Sequence, residues 1–308
     1  MRQSFRVALQ IPENERKYFS FRLHQQVNDA VTECKQSKKL LVISGIDGHF
    51  KTFSDLLIKS EVLDEGLNWN FGNNHLVILG NCIREQEESV EFLWFIYSLE
   101  ERAELAGGAV HFILGTHELM NINAPWSRKQ PLYAKRKSAS RGAATALYDG
   151  NSEIRRWLLT KNIVEKIGST LFIHGGIARE ILEMKLSIRE INAVCKQGYT
   201  QLENFFNPLM QKLLIDPYNL VNYGYSRSSA NIELINETLQ FYDAETIVTG
   251  NKTEQDLESY FDHKVINVCS NYSEGHPEAL FVKRDRFYRL NMRGKLSRIK
   301  QVGLGKAN

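Results

Sequence analysis

Five short polar segments carry the side chains in this sequence that could do chemistry. In chain order they are SGIDGHF at 44–50, GNCIREQ at 80–86, GTHE at 115–118, HGG at 174–176 and GN at 250–251. They offer carboxylate, amide and imidazole groups, chiefly on Asp47, Asn81, His117 and His174, and these groups suit metal ions and phosphate. One such segment commonly does no more than end a strand. Five in series favour a metal or phosphate site.

Each polar segment follows a short apolar run, and these runs predict the strands that would position the site. The runs are 40–44, 76–80, 110–115, 171–175 and 247–250, and continuous apolar runs of this length suit strands buried on both faces. Helical spacing of apolar residues at 50–59 and 89–105 lies between them. The alternation predicts a layered α/β fold, in which ligands bind beyond the carboxyl ends of the strands.

The C-terminal part of the chain has a different pattern. Three strand-like runs at 265–269, 279–283 and 287–291 follow one another with no helix between them. This pattern predicts an antiparallel meander that closes a second sheet.

Composition sets broad limits on the class of protein. The chain has 308 residues, with 43% hydrophobic and 24% charged residues and a formal net charge of +3, as in an ordinary globular protein. The four cysteines form no CxxC pair, so neither a zinc knuckle nor a disulfide framework is indicated. The N-terminal sequence lacks the pattern of a secretory signal, and no apolar stretch has the length of a membrane span. A reducing cytoplasm is therefore the expected compartment.

No linker rich in Pro, Gly or Ser divides the chain, which indicates one domain. We expect an N-terminal extension at 1–37, a domain at 38–291 and a basic tail at 292–308. A helical and basic insert is expected within the domain, at 119–165.

Taken together, the five polar segments resemble the signature blocks of the calcineurin-like metallophosphoesterases. The similarity is closest to the bacterial Shewanella-like Ser/Thr protein phosphatases, whose active members read GDxHGN, GDxxDRG, GNHE, HGG and GH. It spans 38–291. The resemblance implies a metallophosphoesterase-type sandwich of two mixed β-sheets flanked by helices. It also implies two metal ions, bridged by an Asp and by a hydroxide that attacks phosphorus.

The same resemblance reveals losses at the six ligand positions of that metal pair. Gly45 stands at the first Asp and has no side chain, and Asn81 stands at the bridging Asp and brings no charge. The other four positions are held by Asp47, Thr116, His174 and Asn251, of which only His174 matches the family. His117 also matches, and the resemblance implies that it assists protonation of the leaving group.

The positions that would handle phosphate depart from the family as well. Its Asp-Arg-Gly is replaced by Arg84, Glu85 and Gln86, which puts a carboxylate where a phosphate-binding arginine is expected. The segment 216–225 holds no arginine where relatives carry one, and the next is Arg227. We therefore expect no tightly bound metal pair and no hydrolysis by the family mechanism.

A second alignment keeps more of the metal site. Shifting the first block by two residues makes Asp47-Gly48-His49 the required D-x-H. Asp47, His49, Asn81 and His174 could then hold a single Mn²⁺ or Mg²⁺ weakly. In either alignment, a weak residual site would centre on Asp47, Asn81 and His174.

A basic stretch at 127–141 is a candidate partner surface. Its cations are Arg128, Lys129, Lys135, Arg136, Lys137 and Arg141. Such a cluster can dock an acidic protein, a phosphopeptide or nucleic acid, although many charge runs are simply solvated faces.

These observations leave three hypotheses for function. The first is a pseudophosphatase that binds or scaffolds an unknown protein partner. The second is a phosphoesterase that uses one weakly held metal ion. The third is a binder of nucleic acid or of an acidic partner through the basic stretch. None of them involves a membrane.

Overall fold

The structure is a computed structural model that describes residues 4–9, 17–24, 26–82, 88–122, 152–200, 207–225, 231–251, 256–270 and 277–302. Its strands are β1 (Ser4–Leu9), β2 (Lys17–Arg22), β3 (Glu33–Cys34), β4 (Lys39–Ile43), β5 (His75–Leu79), β6 (Ala109–Ile113), β7 (Val164–Ile167), β8 (Thr170–Ile173), β9 (Thr246–Thr249), β10 (Glu258–Tyr260), β11 (Val265–Asn267), β12 (Glu278–Lys283), β13 (Arg286–Asn291), β14 (Leu296–Ser297) and β15 (Lys300–Gln301). Its helices are α1 (Phe50–Lys59), α2 (Glu88–Leu105), α3 (Thr116–Ile122), α4 (Glu153–Leu158), α5 (Arg179–Leu182), α6 (Ile188–Thr200), α7 (Pro208–Met210), a π-helical turn (Gln211–Ile215) and α8 (Ile232–Phe241).

Two mixed sheets form the sandwich that the resemblance implied, and the predicted α/β class is confirmed. One sheet has the order β14-β13-β12-β4-β5-β6, and the other has the order β15-β10-β11-β9-β8-β7-β3. Strands β4, β5 and β6 run parallel, as do β8, β9 and β11. Their carboxyl ends carry the polar segments.

The central strands are buried on both faces, as their continuous apolar runs predict. In β4, Leu40 and Val42 lie in a cluster that also contains Phe172 of the opposite sheet. The alternate residues Leu41 and Ile43 belong to a second cluster, which includes Phe53 of α1 and Phe92 of α2. One strand therefore contributes to the core between the sheets and to the core beneath the helices.

The predicted three-stranded meander is wrong. Strands β12 and β13 form an antiparallel hairpin in the six-stranded sheet, but β11 lies in the seven-stranded sheet, parallel to β9. Just beyond β11, Cys269 bridges to Ser44, which follows β4 in the other sheet. The chain thus crosses between the sheets at this point. An apolar run marks a strand but does not specify its partner.

Segments outside 38–291 also contribute strands. The β1–β2 hairpin packs on α2, where Phe21 stacks on Trp94 at 4.5 Å between ring centroids. Strand β3 pairs with β7, while β14 and β15 pair with β13 and β10. No helix in the described ranges is both long and apolar enough to cross a lipid bilayer.

Candidate active-site cleft

The strand ends of both sheets meet around Ser44. Its buried hydroxyl oxygen lies 2.7 Å from the carbonyl oxygen of Leu79 and 2.8 Å from that of Gly250. The N–H of Gly250 donates to the carbonyl of His174 at 2.9 Å, and the N–H of Gly45 donates to that of Gly80 at 3.3 Å. These contacts bring the first, second, fourth and fifth polar segments to one rim.

Glu118 joins the second and third segments. Its buried carboxylate accepts the backbone N–H of Asn81 at 2.9 Å, of Cys82 at 2.9 Å and of Gly115 at 3.0 Å. Burial raises the pKa of Glu118, and these hydrogen bonds oppose the rise. Sequence reasoning missed this positioning role. The available signal was a Glu at the third position of a helix, from which a carboxylate reaches back to the preceding backbone.

His174 has the form of a metal-binding imidazole. Its Nδ1 lies 2.6 Å from the carbonyl oxygen of Leu79, which can only accept, so Nδ1 carries the proton. Burial lowers the pKa of His174 to about 4, so the ring is neutral near pH 7. Its Nε2 is then a lone-pair acceptor, and this buried atom has no hydrogen-bond partner.

Asp47, Asn81 and His117 lie together beside the rim. The Oδ1 of Asp47 is 3.7 Å from the Nδ1 of His117, and both side chains are partly exposed. The backbone N–H of His117 donates to the Oδ1 of Asn81 at 3.3 Å, and that of Asp47 donates to the Asn81 carbonyl at 3.1 Å. An imidazole beside a carboxylate can hold a proton for a bound phosphate ester.

Gly45 has no side chain to ligate a metal, and the thiol of Cys269 lies where such a side chain would begin. The φ of Gly45 is +68°, and a Cβ at this position would lie 2.4 Å from the Sγ of Cys269. Cys269 is buried. Its thiol fills the space that a side chain at residue 45 would need.

Thr116 and Asn251 are tied to the segment 216–225. The Oγ1 of Thr116 is 3.3 Å from the Oδ1 of Asn222. The Nδ2 of Asn251 donates to the carbonyls of Asn222 at 3.3 Å and Tyr223 at 3.1 Å. Residues at two of the altered ligand positions therefore both form hydrogen bonds to this segment. The sequence alone did not predict these hydrogen bonds.

Other predicted site residues are not gathered into the cleft. His49 directly precedes α1, and among the described residues the ligand atoms of Asp47, His49 and His174 do not form a group within 4.8 Å of one another. The residues predicted for phosphate handling and partner binding lie outside the described residues: Arg84, Glu85, Gln86, Arg227, Arg128, Lys129, Lys135, Arg136, Lys137 and Arg141.

The donors present do not fit a pair of divalent ions. A bridged pair needs a shared carboxylate and several further donors to offset four positive charges. The bridging position holds the neutral Asn81, and Gly45 contributes nothing. Among the described residues at the family's ligand positions, Asp47, Asn81 and His174 remain as metal ligands, which is too few for two ions.

Comparison with known proteins points to phosphatases. No family model matches the chain. It is 23% identical over 197 residues to Shewanella-like protein phosphatase 2 of Arabidopsis thaliana, covering 50% of each protein. It is 22% identical over 250 residues to Shewanella-like protein phosphatase 1 of Plasmodium berghei, covering 77% of this chain and 66% of that protein. The matches thus span between half and two thirds of these relatives' lengths.

A solved structure matches over more of the chain. The cold-active protein-tyrosine phosphatase of a psychrophilic Shewanella superposes with a TM-score of 0.81 at 26% identity. The match covers 94% of this chain and 89% of that one. The chain is therefore similar to a phosphatase over nearly its whole sandwich.

Proposed function

The chain is a member of the calcineurin-like metallophosphoesterase superfamily, and on that premise we propose that it is a catalytically impaired phosphatase that serves as a binding or scaffolding protein. The observation that carries the proposal is the contact between Gly45 and Cys269. With the Cys269 thiol at the place of a Cβ and a φ of +68°, a ligand side chain where the family has its first Asp would need a strained backbone and a displaced thiol.

The bonds of Asn222 support the same conclusion. Thr116 and Asn251, which stand at two further ligand positions, both contact Asn222. These contacts stabilise the rim through protein hydrogen bonds in the place of metal bonds. A cleft held in this way keeps its shape without ions, and it can still receive a partner.

The cleft keeps groups that could contact a phosphorylated partner. His117 lies beside Asp47 and is partly exposed, so its imidazole can reach a bound phosphate group. The partner we propose is a protein, with the basic stretch at 127–141 as a second contact surface. Because the similar Shewanella protein is a tyrosine phosphatase, a phosphotyrosine peptide is a suitable first probe.

A phosphoesterase with one weakly held Mn²⁺ or Mg²⁺ is the second candidate. The free Nε2 of His174 favours it, because an imidazole fixed through Nδ1 to a carbonyl is oriented for a metal. In that case Asp47, Asn81 and His174 would hold the ion, and the ion would polarise a phosphate oxygen.

Metal analysis and a phosphatase assay separate the two candidates. Purified full-length protein is dialysed against Mn²⁺ or Mg²⁺, and hydrolysis of p-nitrophenyl phosphate is measured. If the proposal is correct, the wild-type protein shows no more turnover than the Asp47→Ala and His174→Ala variants. The wild-type protein should nevertheless bind a phosphotyrosine peptide, as measured by fluorescence anisotropy. His263→Ala serves as the histidine control, because His263 contacts Ser259 and not the cleft.

Metal-dependent turnover that both cleft variants abolish and the control retains would overturn the proposal in favour of the single-ion enzyme. If hydrolysis and peptide binding are both absent, the binding role at the cleft is excluded.

A further inference from the structure

A second polar cluster lies at the other end of the central strands. His75 is the first residue of β5, and His111 lies in the neighbouring β6. Their partners come from the opposite sheet, Cys34 from β3 and Glu165 from β7. His75 lies four positions before Leu79 at the cleft rim, which is about 13 Å along a strand. The cluster is therefore distinct from the cleft.

The ligand atoms of this cluster are already close together. One atom each from Cys34, His75 and His111 lies within 4.8 Å of the other two. The Nε2 of His111 is 3.1 Å from the Nδ1 of His75. Two nitrogens bound tetrahedrally to zinc at their usual distance lie about 3.3 Å apart. The two imidazoles thus need little movement to share an ion.

Glu165 holds His111 in the orientation that a metal ligand requires. Its Oε2 is 2.7 Å from the Nδ1 of His111, while its Oε1 accepts a hydrogen bond from the Nδ2 of Asn162 at 2.9 Å. A carboxylate on the far nitrogen of a metal-binding histidine fixes the ring and raises its basicity. The nitrogen left for an ion is Nε2, which faces His75.

The charges in this cluster also balance for a divalent cation. A Cys34 thiolate and the Glu165 carboxylate together supply two negative charges, and the imidazoles are neutral ligands. In the metal-free cluster, burial lowers the pKa of His75 to about 4. Burial also acts to lower the pKa of His111, but hydrogen bonds to Cys34 and Glu165 outweigh it and raise the value to about 10. His111 is therefore protonated near pH 7, and an ion that binds at its Nε2 must displace that proton.

From this geometry we propose that Cys34, His75 and His111 form a site for one Zn²⁺ ion, with Glu165 as the positioning residue for His111. A thiolate with two imidazoles is a donor set that selects zinc over Mg²⁺ or Mn²⁺. The fourth position is left for solvent, and the partial exposure of Cys34 and His75 gives the ion a path of entry.

The site would join three separate parts of the fold. Among the described strands, β3 pairs only with β7, through two residues, whereas β5 and β6 belong to the other sheet. An ion bound at Cys34 would fasten the short β3 and both sheets at one point. A metal that binds the folded chain and not the unfolded chain stabilises it by mass action.

Cobalt titration of the metal-free, full-length protein tests the proposal. We expect about one Co²⁺ per chain, with a thiolate-to-cobalt charge-transfer band and the visible bands of tetrahedral cobalt, all displaced by Zn²⁺. Cys34→Ala should remove the charge-transfer band, and His75→Ala should weaken zinc affinity by at least tenfold. Glu165→Gln should keep the band and weaken affinity by roughly tenfold to a hundredfold.

Matched variants locate the ion. Cys195→Ala, which removes a buried thiol from α6, and the double variant Asp47→Ala/His174→Ala in the cleft should both bind as the wild type does. No charge-transfer band in the wild type, or metal binding lost in the cleft variant and retained in Cys34→Ala, would overturn the proposal.

Thiol labelling gives a test that needs no variant. Cys82, Cys195 and Cys269 are buried, and Cys34 is the partly exposed cysteine. The native protein should therefore have one fast-reacting thiol towards iodoacetamide, and saturating Zn²⁺ should protect it. Unchanged labelling of Cys34 in the presence of Zn²⁺ would contradict the site.

Discussion

The two ends of the central strands differ in what their polar side chains contact. At the carboxyl ends, Thr116 and Asn251 stand at expected ligand positions but bond to Asn222. At the amino end of β5, a ligand atom of His75 lies within 4.8 Å of ligand atoms of His111 and Cys34. The end that resembles a known metal site has Gly45 and Asn81 in place of two carboxylates, and the end without any motif has a compact set of ligand groups. Residue type and spacing therefore do not define a site until the contacts are known.

The nature of the contacts explains this difference. Cleft side chains such as Glu118 bond mainly to backbone groups of the neighbouring loops, and this fixes loop shape. In the second cluster the side chains bond to one another, and His111 alone contacts both His75 and Glu165. The Glu118 carboxylate accepts three backbone N–H groups and is not available to an ion, whereas an ion can replace the proton that lies between two hydrogen-bonded imidazoles.

The largest effect is expected from restoring the missing carboxylate. Gly45→Asp places a Cβ 2.4 Å from the Cys269 Sγ and adds a side chain at φ +68°. Overpacking and backbone strain together should lower the free energy of unfolding by about 4 kcal/mol. Urea denaturation followed by circular dichroism measures the loss.

Two further variants separate the contributions of backbone strain and of the clash with Cys269 to that loss of unfolding free energy. Gly72→Asp is the matched control, because Gly72 has φ +59° with no atom within 4 Å of the added Cβ, so only the strain remains. Adding Cys269→Ala to Gly45→Asp should recover the part due to the clash. Equal losses for Gly45→Asp and Gly72→Asp would show that the thiol is not what excludes a side chain at residue 45.

Removing the charge of Glu118 should have the next largest effect. Glu118→Gln replaces a carboxylate oxygen by an amide nitrogen opposite the N–H groups of Asn81, Cys82 and Gly115. Losing buried bonds to a charged acceptor should cost about 3 kcal/mol of unfolding free energy. Glu190→Gln is the control, since Glu190 caps α6 in the same way but is exposed, and its effect should be much smaller. If Glu118→Gln lowers the unfolding free energy as little as Glu190→Gln does, the loops keep their conformation without the Glu118 charge.

Buried His174 should make stability fall in mild acid. Its folded-state pKa of about 4 lies below the ordinary 6.5, so between these values the unfolded chain binds more protons, and stability declines as pH drops. At pH 5 this costs about 2 kcal/mol relative to pH 7. His174→Asn should lose less stability than the wild type between these pH values, and denaturant titrations at both give the difference. Parallel losses in the two proteins would contradict the assignment of a neutral buried ring.

The smallest effect is expected at Asn222. Asn222→Ala removes the side-chain acceptor for Thr116 but leaves the backbone carbonyl that Asn251 uses. The unfolding free energy should fall by about 1 kcal/mol. A double-mutant cycle with Thr116→Val isolates the pair. A coupling energy of zero would show that the two side chains do not hold the rim together.

Much of the fold could be predicted from the sequence because the central strands are buried on both faces. Apolar runs such as the one in β5 therefore stand out without alternation, and the helix Phe50–Lys59 has the bounds that its periodicity gave. The position of β11 could not be predicted in this way. The sheet to which β11 belongs depends on where the chain crosses between the sheets. That crossing is at Cys269, which pairs with Ser44, a residue far away in the sequence.

The candidate site was predictable in its loops and unpredictable in its contacts. The polar segments around Asn81 and His174 could be recognised because each follows a strand. That Cys269 fills the space at Gly45 is a packing relation with no sequence signal. In the same way, Cys34 and His75 have no common motif, and only the strand order brings them together.

The helices on either side of residues 123–151 are each fixed to the core. Helix α3 ends at the buried Ile122. Helix α4 starts at Glu153 and is capped by Ser152, whose hydroxyl accepts the N–H of Arg155, and Ile154 is buried. Tyr97 of α2 also donates to Glu153 at 2.6 Å. The cost of closing a loop between fixed points grows by only about 0.6 kcal/mol per doubling of its length. Because both flanking helices are fixed to the core, we expect variants in which the basic stretch at 127–141 is shortened or exchanged to keep the folded sandwich.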